Sequence, residues 1–323
     1  MKFSGSVFLL VGLFFFYGEI FSQDYIAVDS VVDGYPQNVL KLDDVVTAIQ
    51  KDFSRDDEKA RAVFRWVTTQ ISFDILLAEK MNYKSLTAFS YTTESEKLVK
   101  EKKFKEELIA QTFSTKKTVC HGYAVLIEYL CEKLKIEAEV ITGILKSDPS
   151  EIGQMSKIVN HAWNAVKING EWKFIDATLA AGFISDRTNQ FNFDYVDGYF
   201  FTDPKLFFLN HFPMEEKWLF VAKTKKEFAT LPCYLRNYTK FNYQISGPQS
   251  GIYEKKNSNF TFTVKGIDEY DSVLYSLNSA NNEQIILEQE YTKNFTIDLS
   301  AVSNDYLTLY INNRPMVVYK IVN

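Results

Sequence analysis

The chain has 323 residues, 46% of them hydrophobic and 15% aromatic, which is enough to bury the cores of one large or two medium domains. Its formal net charge is −5 and no Lys/Arg patch is concentrated anywhere, which argues against a nucleic-acid partner, whose phosphates require a basic face. Three cysteines cannot all pair, so at least one thiol is free and a disulfide framework is not expected.

In chain order, Met1-Lys2 and the apolar run Val7 to Tyr17 precede Ser22-Gln23-Asp24. That order matches a secretory leader, and the run is shorter than the about 20 residues that a membrane span needs. The expectation is a signal peptide over 1–22, cleavage near Ser22 and export to a periplasm or the exterior. No leader cysteine offers a lipid anchor, and no later stretch reads as an integral membrane span.

Residues 43–82 read as helices: Ser54 is a candidate N-cap before the acidic Asp56-Asp57-Glu58 and an apolar stripe with Ala62, Trp66 and Val67. A further amphipathic helix is expected over 95–112, where the mixed charges from Glu94 to Glu107 read as a solvated face. From Thr118 the apolar positions 120, 124, 127, 131 and 134 recur at helical spacing, giving a helix over 119–135 with Cys120 in its first turn. A strand over 137–145 and the polar loop Ser147-Asp148-Pro149-Ser150 follow.

His161 to Ile168 alternates, Asn169-Gly170 is the strongest short signal for a two-residue type I′ turn, and Glu171 to Asp176 alternates again, so the segment reads as a β-hairpin. If Ile168 faces Glu171, Trp163 faces Asp176 and His161 faces Thr178. His161 and Asp176 are then diagonal neighbours on one face, about 7–8 Å apart at the backbone and within side-chain reach. A three-residue loop would put them on opposite faces. Beyond about residue 232 the texture changes to seven short alternating runs, at 240–246, 259–265, 272–277, 283–289, 293–298, 305–311 and 315–321. These suggest an immunoglobulin-like sandwich. The expected organisation is therefore a leader (1–22), an α+β domain (23–232) and a β-sandwich accessory domain (233–323) open to a surface partner.

Cys120, His161 and Asp176 together supply a nucleophile, its base and a group to orient the base. The helix start favours a thiolate and offers free backbone N–H groups to an oxyanion. Cys131 lies about 16 Å along the same helix, too far to bridge Cys120, and is expected in the core. Each residue also has a structural reading. Free cysteine is among the most buried residue types, and a zinc site from Cys120, His161 and Asp176 lacks paired-ligand spacing. His121 is expected to be a surface or capping residue, pointing about 100° from the thiol. Trp163 and Trp172 share the face of His161 as core or cleft wall.

Four segments, KARAVFRWVTTQISFD (59–74), TVCHGYAVLIEYLCEKL, NHAWNAVKINGEWKFIDAT and YFFTDPKLFFLNHFPMEEKW (199–218), resemble in order the motifs of the transglutaminase-like superfamily, the last one resembling its kyphoscoliosis-peptidase branch. The resemblance covers roughly residues 40–220 and implies a transglutaminase-like, papain-like cysteine-enzyme core. It puts Cys120 in the place of the nucleophile, His161 of the base and Asp176 of the orienting acid. Trp163 and His211 are then expected as substrate-binding residues along the cleft, with a protein or peptide substrate and no cofactor. Where the family often carries an aromatic residue after the aspartate, this chain has Leu179. Gln70, Tyr91 and Gln111 are candidate oxyanion donors. The two functional classes left open are a thiol enzyme acting on amide bonds and a non-catalytic binding module that keeps the fold.

Overall fold

The computed structural model describes residues 25–323 except 37, 82–89, 155, 157, 186, 242, 256–257, 281–282 and 288–292. The expected leader lies outside the described residues. Helix α1 (Ile26–Asp33), α2 (Leu42–Asp52) and α3 (Asp56–Gln70) build the first layer. Acidic residues fill the first turn of α3, where the helix dipole favours them, but its N-cap is Arg55 with no side-chain bond rather than the expected Ser54. The stripe Ala62, Trp66 and Val67 is buried as expected. Helix α4 (Glu94–Thr115) starts where the Thr93 side chain accepts the Glu96 N–H, and ends at Lys116 in the left-handed region, φ 54°.

Helix α5 (Cys120–Lys133) carries the expected stripe, with Ala124, Ile127, Cys131 and Leu134 all in the core. Burial pushes the Cys131 thiol up to about 12, so it is a packing residue. At the start of α5, a Cβ on Gly122 would lie 1.8 Å from Thr118 Oγ1, so only glycine lets the first turn close against the strand that leads into it.

The central sheet is antiparallel, its strands being β1 (Ala138–Leu145), β2 (His161–Ile168), β3 (Glu171–Ile175), β4 (Phe200–Thr202) and β5 (His211–Pro213), in the order β4-β3-β2-β1-β5. The turn between β2 and β3 has φ 51° at Asn169 and 84° at Gly170, and Ile168 pairs with Glu171. This is the expected register, with positive φ at both central residues as a type I′ turn requires. Strand alternation then splits the sheet faces. Val166, Ile168 and Ile175 join the helical core, while Trp163, Ala165 and Phe174 pack with Phe207 and Trp218 on the other side.

The C-terminal strands are β6 (Cys233–Tyr234), β7 (Gln244–Ser246), β8 (Ile252–Glu254), β9 (Asn259–Lys265), β10 (Val273–Leu277), β11 (Ile285–Leu287), β12 (Asn294–Asp298), β13 (Asp305–Ile311) and β14 (Arg314–Val322). They make two sheets, β6-β14-β13-β10-β11 with β8 alongside β14, and β7-β9-β12. Both line one core that includes Phe260, Phe262, Leu307 and Val317. Among the described residues, none of these strands pairs with the central sheet. β6 and β8 were not among the expected strands, because two- and three-residue strands carry too little alternation to be read.

Buried contacts hold the chain that leads from the central sheet into the second core. Lys146, at the end of β1, is buried and donates to the carbonyls of Phe228, Ala229 and Leu231, and burial pushes its ammonium down to about 8. Cys233 shares a small cluster with Ile152 and Val318, and burial pushes its thiol up to about 12. All three cysteines are free and buried.

Candidate active site

His161 opens β2 and Asp176 follows β3, so the turn sets their approach. His161 Nε2 lies 2.7 Å from Asp176 Oδ2. Asp176 does not continue the strand. It caps the short helix Ala177–Ala181, with Oδ1 accepting the Leu179 N–H at 3.0 Å. One carboxylate thus terminates the strand, starts a helix and holds an imidazole. The Leu179 carbonyl in turn accepts Arg236 Nε at 2.6 Å, and Arg236 pairs with Asp194, tying this corner to the chain that leads into the second core.

Cys120 enters from the helical side. Its first helical turn packs on Ala162 and Val140, small or half-buried residues that let the helix approach the strand. Asn164 clamps that approach: its Nδ2 donates to the Ala124 carbonyl at 2.9 Å, one turn beyond Cys120. The Cys120 thiol lies close enough to the His161 ring to favour its charged form. Since Nε2 is engaged by Asp176, Nδ1 is the nitrogen free for the thiol.

The electrostatics follow from burial. His161 is 3% and Asp176 0% exposed. Burial alone would lower the imidazolium, but the charge and hydrogen bond of Asp176, with the Cys120 thiol, outweigh it and push His161 up to about 10. For Asp176, burial favours the protonated form, yet its bonds to His161 and His211 hold it well below the usual carboxylate range. The pair is therefore a carboxylate and an imidazolium at neutral pH.

Two expected substrate-binding residues sit elsewhere. Trp163 and His211 are each 1% exposed and pack behind Asp176, so neither presents a surface to a substrate. Their burial speaks for packing residues, and the reason is topological: β5 pairs with β1 at the sheet edge, with His211 facing Leu145, and carries His211 inward. There its Nε2 lies 3.0 Å from Asp176 Oδ2. His121 is corrected. It is buried against Phe104, its Nδ1 has no hydrogen-bond partner among the described residues, and burial, with Lys105 adding, pushes it down to about 4. Of the oxyanion candidates, Tyr91 and Gln111 are exposed, whereas Gln70, at the C-terminal end of α3, is half-buried. Sequence reasoning missed Asn164 and Asn210; for Asn164, an asparagine at an inward-facing strand position was the available signal, while Asn210 lies in a turn and gave none.

His161, Asp176 and His211 are also a group that offers metal-ligand atoms within 4.8 Å of one another. Their contacts are those of a carboxylate accepting two ring N–H groups, all within a fully buried cluster, and they read as a hydrogen-bonded unit. The zinc alternative of Cys120, His161 and Asp176 does not match this group, which holds no cysteine.

Residues 43–177 match the family model of the transglutaminase-like superfamily, so the chain carries a transglutaminase-like domain, as the resemblance of its motifs implies. Its relatives point to the kyphoscoliosis-peptidase branch. The chain is 27% identical over 227 residues to kyphoscoliosis peptidase of Homo sapiens, covering 69% of this chain and 31% of that protein. It is 27% identical over 208 residues to hillarin of Drosophila melanogaster, covering 58% and 22%. It is 22% identical over 327 residues to Lim and transglutaminase domain protein ltd-1 of Caenorhabditis elegans, covering 93% and 41%. The chain thus spans well under half the length of these relatives. Among the described residues, no helix is long and apolar enough to cross a membrane.

Proposed function

We propose that the chain is an exported thiol enzyme acting on amide bonds of proteins or peptides through Cys120, His161 and Asp176. The observation that carries this reading is the buried His161–Asp176 bond of 2.7 Å, with a thiol at a helix N-terminus beside the same ring. Cys120 Sγ, its proton held by His161, attacks the amide carbonyl carbon. The tetrahedral oxyanion meets backbone N–H groups of the first turn of α5, which lack intrahelical acceptors. The C–N bond then breaks, and the imidazolium protonates the leaving amine, giving a thioester. Water attacking the thioester, with its proton taken by His161, gives hydrolysis; an amine gives cross-linking. Asp176 keeps Nε2 protonated and so leaves Nδ1 to exchange the proton.

The domain limits at 22 and 232 and the immunoglobulin-like character of 233–323 belong to the same proposal. Two sheets on one core, with β8 running parallel to β14, support the latter. Export rests on the apolar leader sequence and is tested by the mass of the secreted N-terminus; a product retaining Met1 would sink it.

The test of catalysis is peptide mapping after iodoacetamide treatment of the folded protein at pH 6. Adduct on Cys120, slowed strongly by His161→Ala, is the expected result. Adduct mainly on Cys131 or Cys233, or equal labelling of wild type and His161→Ala, would instead favour the non-catalytic binding module.

A further inference from the structure

Asp176 Oδ2 has two imidazole partners, and the mechanism above uses one. The second, His211, is held in every direction. Its ring stacks on Phe207 with centroids 3.8 Å apart, meets the edge of Trp163 at 5.1 Å, and has Asn210 Oδ1 2.7 Å from Nδ1. Its side chain is fully buried, so it reaches neither solvent nor substrate. The titratable groups that face it are Asp176, His161, with ring centroids 5.5 Å apart, and Tyr199, at 6.4 Å.

We propose that His211 is a positioning residue: it donates Nε2–H to Asp176 Oδ2, which fixes the carboxylate in the orientation that holds the His161 ring toward Cys120. This rests on the reading of Cys120, His161 and Asp176 as the reacting unit. The argument is one of directions. A carboxylate bound through a single imidazole and one backbone N–H can swing about its χ2 torsion, which is broad for Asp. A third donor, at 3.0 Å on the same oxygen that His161 uses, removes that freedom.

The proton count fits. Burial lowers the His211 imidazolium against the pull of Asp176, so the ring is neutral and carries one proton. A carboxylate is a stronger acceptor than an amide oxygen, so that proton belongs on Nε2. Asn210 lies 2.7 Å from Nδ1 at the other edge of the ring and is itself anchored, its Nδ2 donating to the Tyr234 carbonyl at 3.5 Å. The Asn210 amide thereby holds the His211 ring in place, as Asp176 holds that of His161.

The experiment pairs His211→Phe, which keeps the ring and removes the donor, with His211→Gln, whose amide nitrogen can take the place of Nε2. Two quantities are read across pH 5–9: the iodoacetamide rate at Cys120, and the downfield proton NMR signal of the His161–Asp176 bond. The expected loss for His211→Phe is about 10-fold or more in rate, the size seen when outer partners of metal-bound histidines are removed. The signal should shift or broaden, and His211→Gln should restore both. Asn210→Leu, which leaves the ring in place, should show the same loss in weaker form and serves if His211→Phe does not fold. A wild-type rate and unshifted signal in His211→Phe or Asn210→Leu, or a His211→Gln variant as slow as His211→Phe, overturns the proposal. If wild-type Cys120 is itself unreactive, the enzymatic reading fails, and the NMR signal alone decides whether His211 positions Asp176.

Discussion

The two cores of this chain are built on opposite principles. In the C-terminal pair of sheets the shared core is aliphatic and aromatic, and the buried polar side chains among the described residues there are Ser276, Asp305 and Thr308. Around the central sheet, Asp176, His161, His211, Asn164, Asn210, His121 and Lys146 are all buried. An apolar core is stabilised by area removed from water and needs no directional partner. A buried polar cluster contributes only when each donor finds its acceptor, and costs heavily when one is removed. The first arrangement holds shape, whereas the second holds charges at fixed positions.

The comparison is broken most sharply at the cluster. Cys120→Ala should abolish labelling and any hydrolase or cross-linking activity while leaving the unfolding midpoint near that of wild type; residual turnover would assign the chemistry to another group. Asp176→Ala should both slow labelling and cost about 3–5 kcal/mol in urea unfolding, because two imidazoles and the Leu179 N–H lose their shared acceptor. A loss of stability no larger than that of a surface substitution would mean that the cluster is not held as described.

In the apolar core, Leu309→Ala should cost about 2–5 kcal/mol through lost contacts and a cavity, with no change in the iodoacetamide rate of the folded protein. A parallel loss of Cys120 reactivity would show that the two cores are coupled more tightly than their separate sheets imply.

The pH dependence sharpens the same contrast. His121 has a folded value of about 4, below the unfolded value of 6.5, so the unfolded state binds more protons between them and stability falls as pH drops through that window. The full effect is about 3 kcal/mol, and His121→Leu should flatten the urea midpoint between pH 6.5 and 4. An unchanged slope would place the acid sensitivity elsewhere. His161 has the opposite sign: its value of about 10 is raised, so its contribution is complete below 6.5 and is lost as pH rises through 10. The smallest expected effect is that of Gly122→Ala, whose Cβ would lie 1.8 Å from Thr118 Oγ1, so that the Thr118 side chain must move aside; it should slow labelling with a stability loss of about 1–3 kcal/mol. Wild-type labelling in that variant would show that the turn tolerates the shift.

What the sequence alone determined here is local: the period of α3 and α5, the Asn169-Gly170 turn, the register that puts His161 and Asp176 on one face, and the core position of Cys131. Each depends on neighbours along the chain or across a two-residue turn, so periodicity and turn chemistry suffice. Tertiary structure decided the rest. His211 meets Asp176 only because β5 returns to the far edge of the sheet, 35 residues after the aspartate. The Asn164 clamp on Ala124 spans 40 residues, and the burial of His121 depends on the Phe104 ring of α4. These contacts join segments with no periodic relation to one another, and burial and pairing, which together set the charges in the cluster, are properties of the assembled layers and not of any one segment.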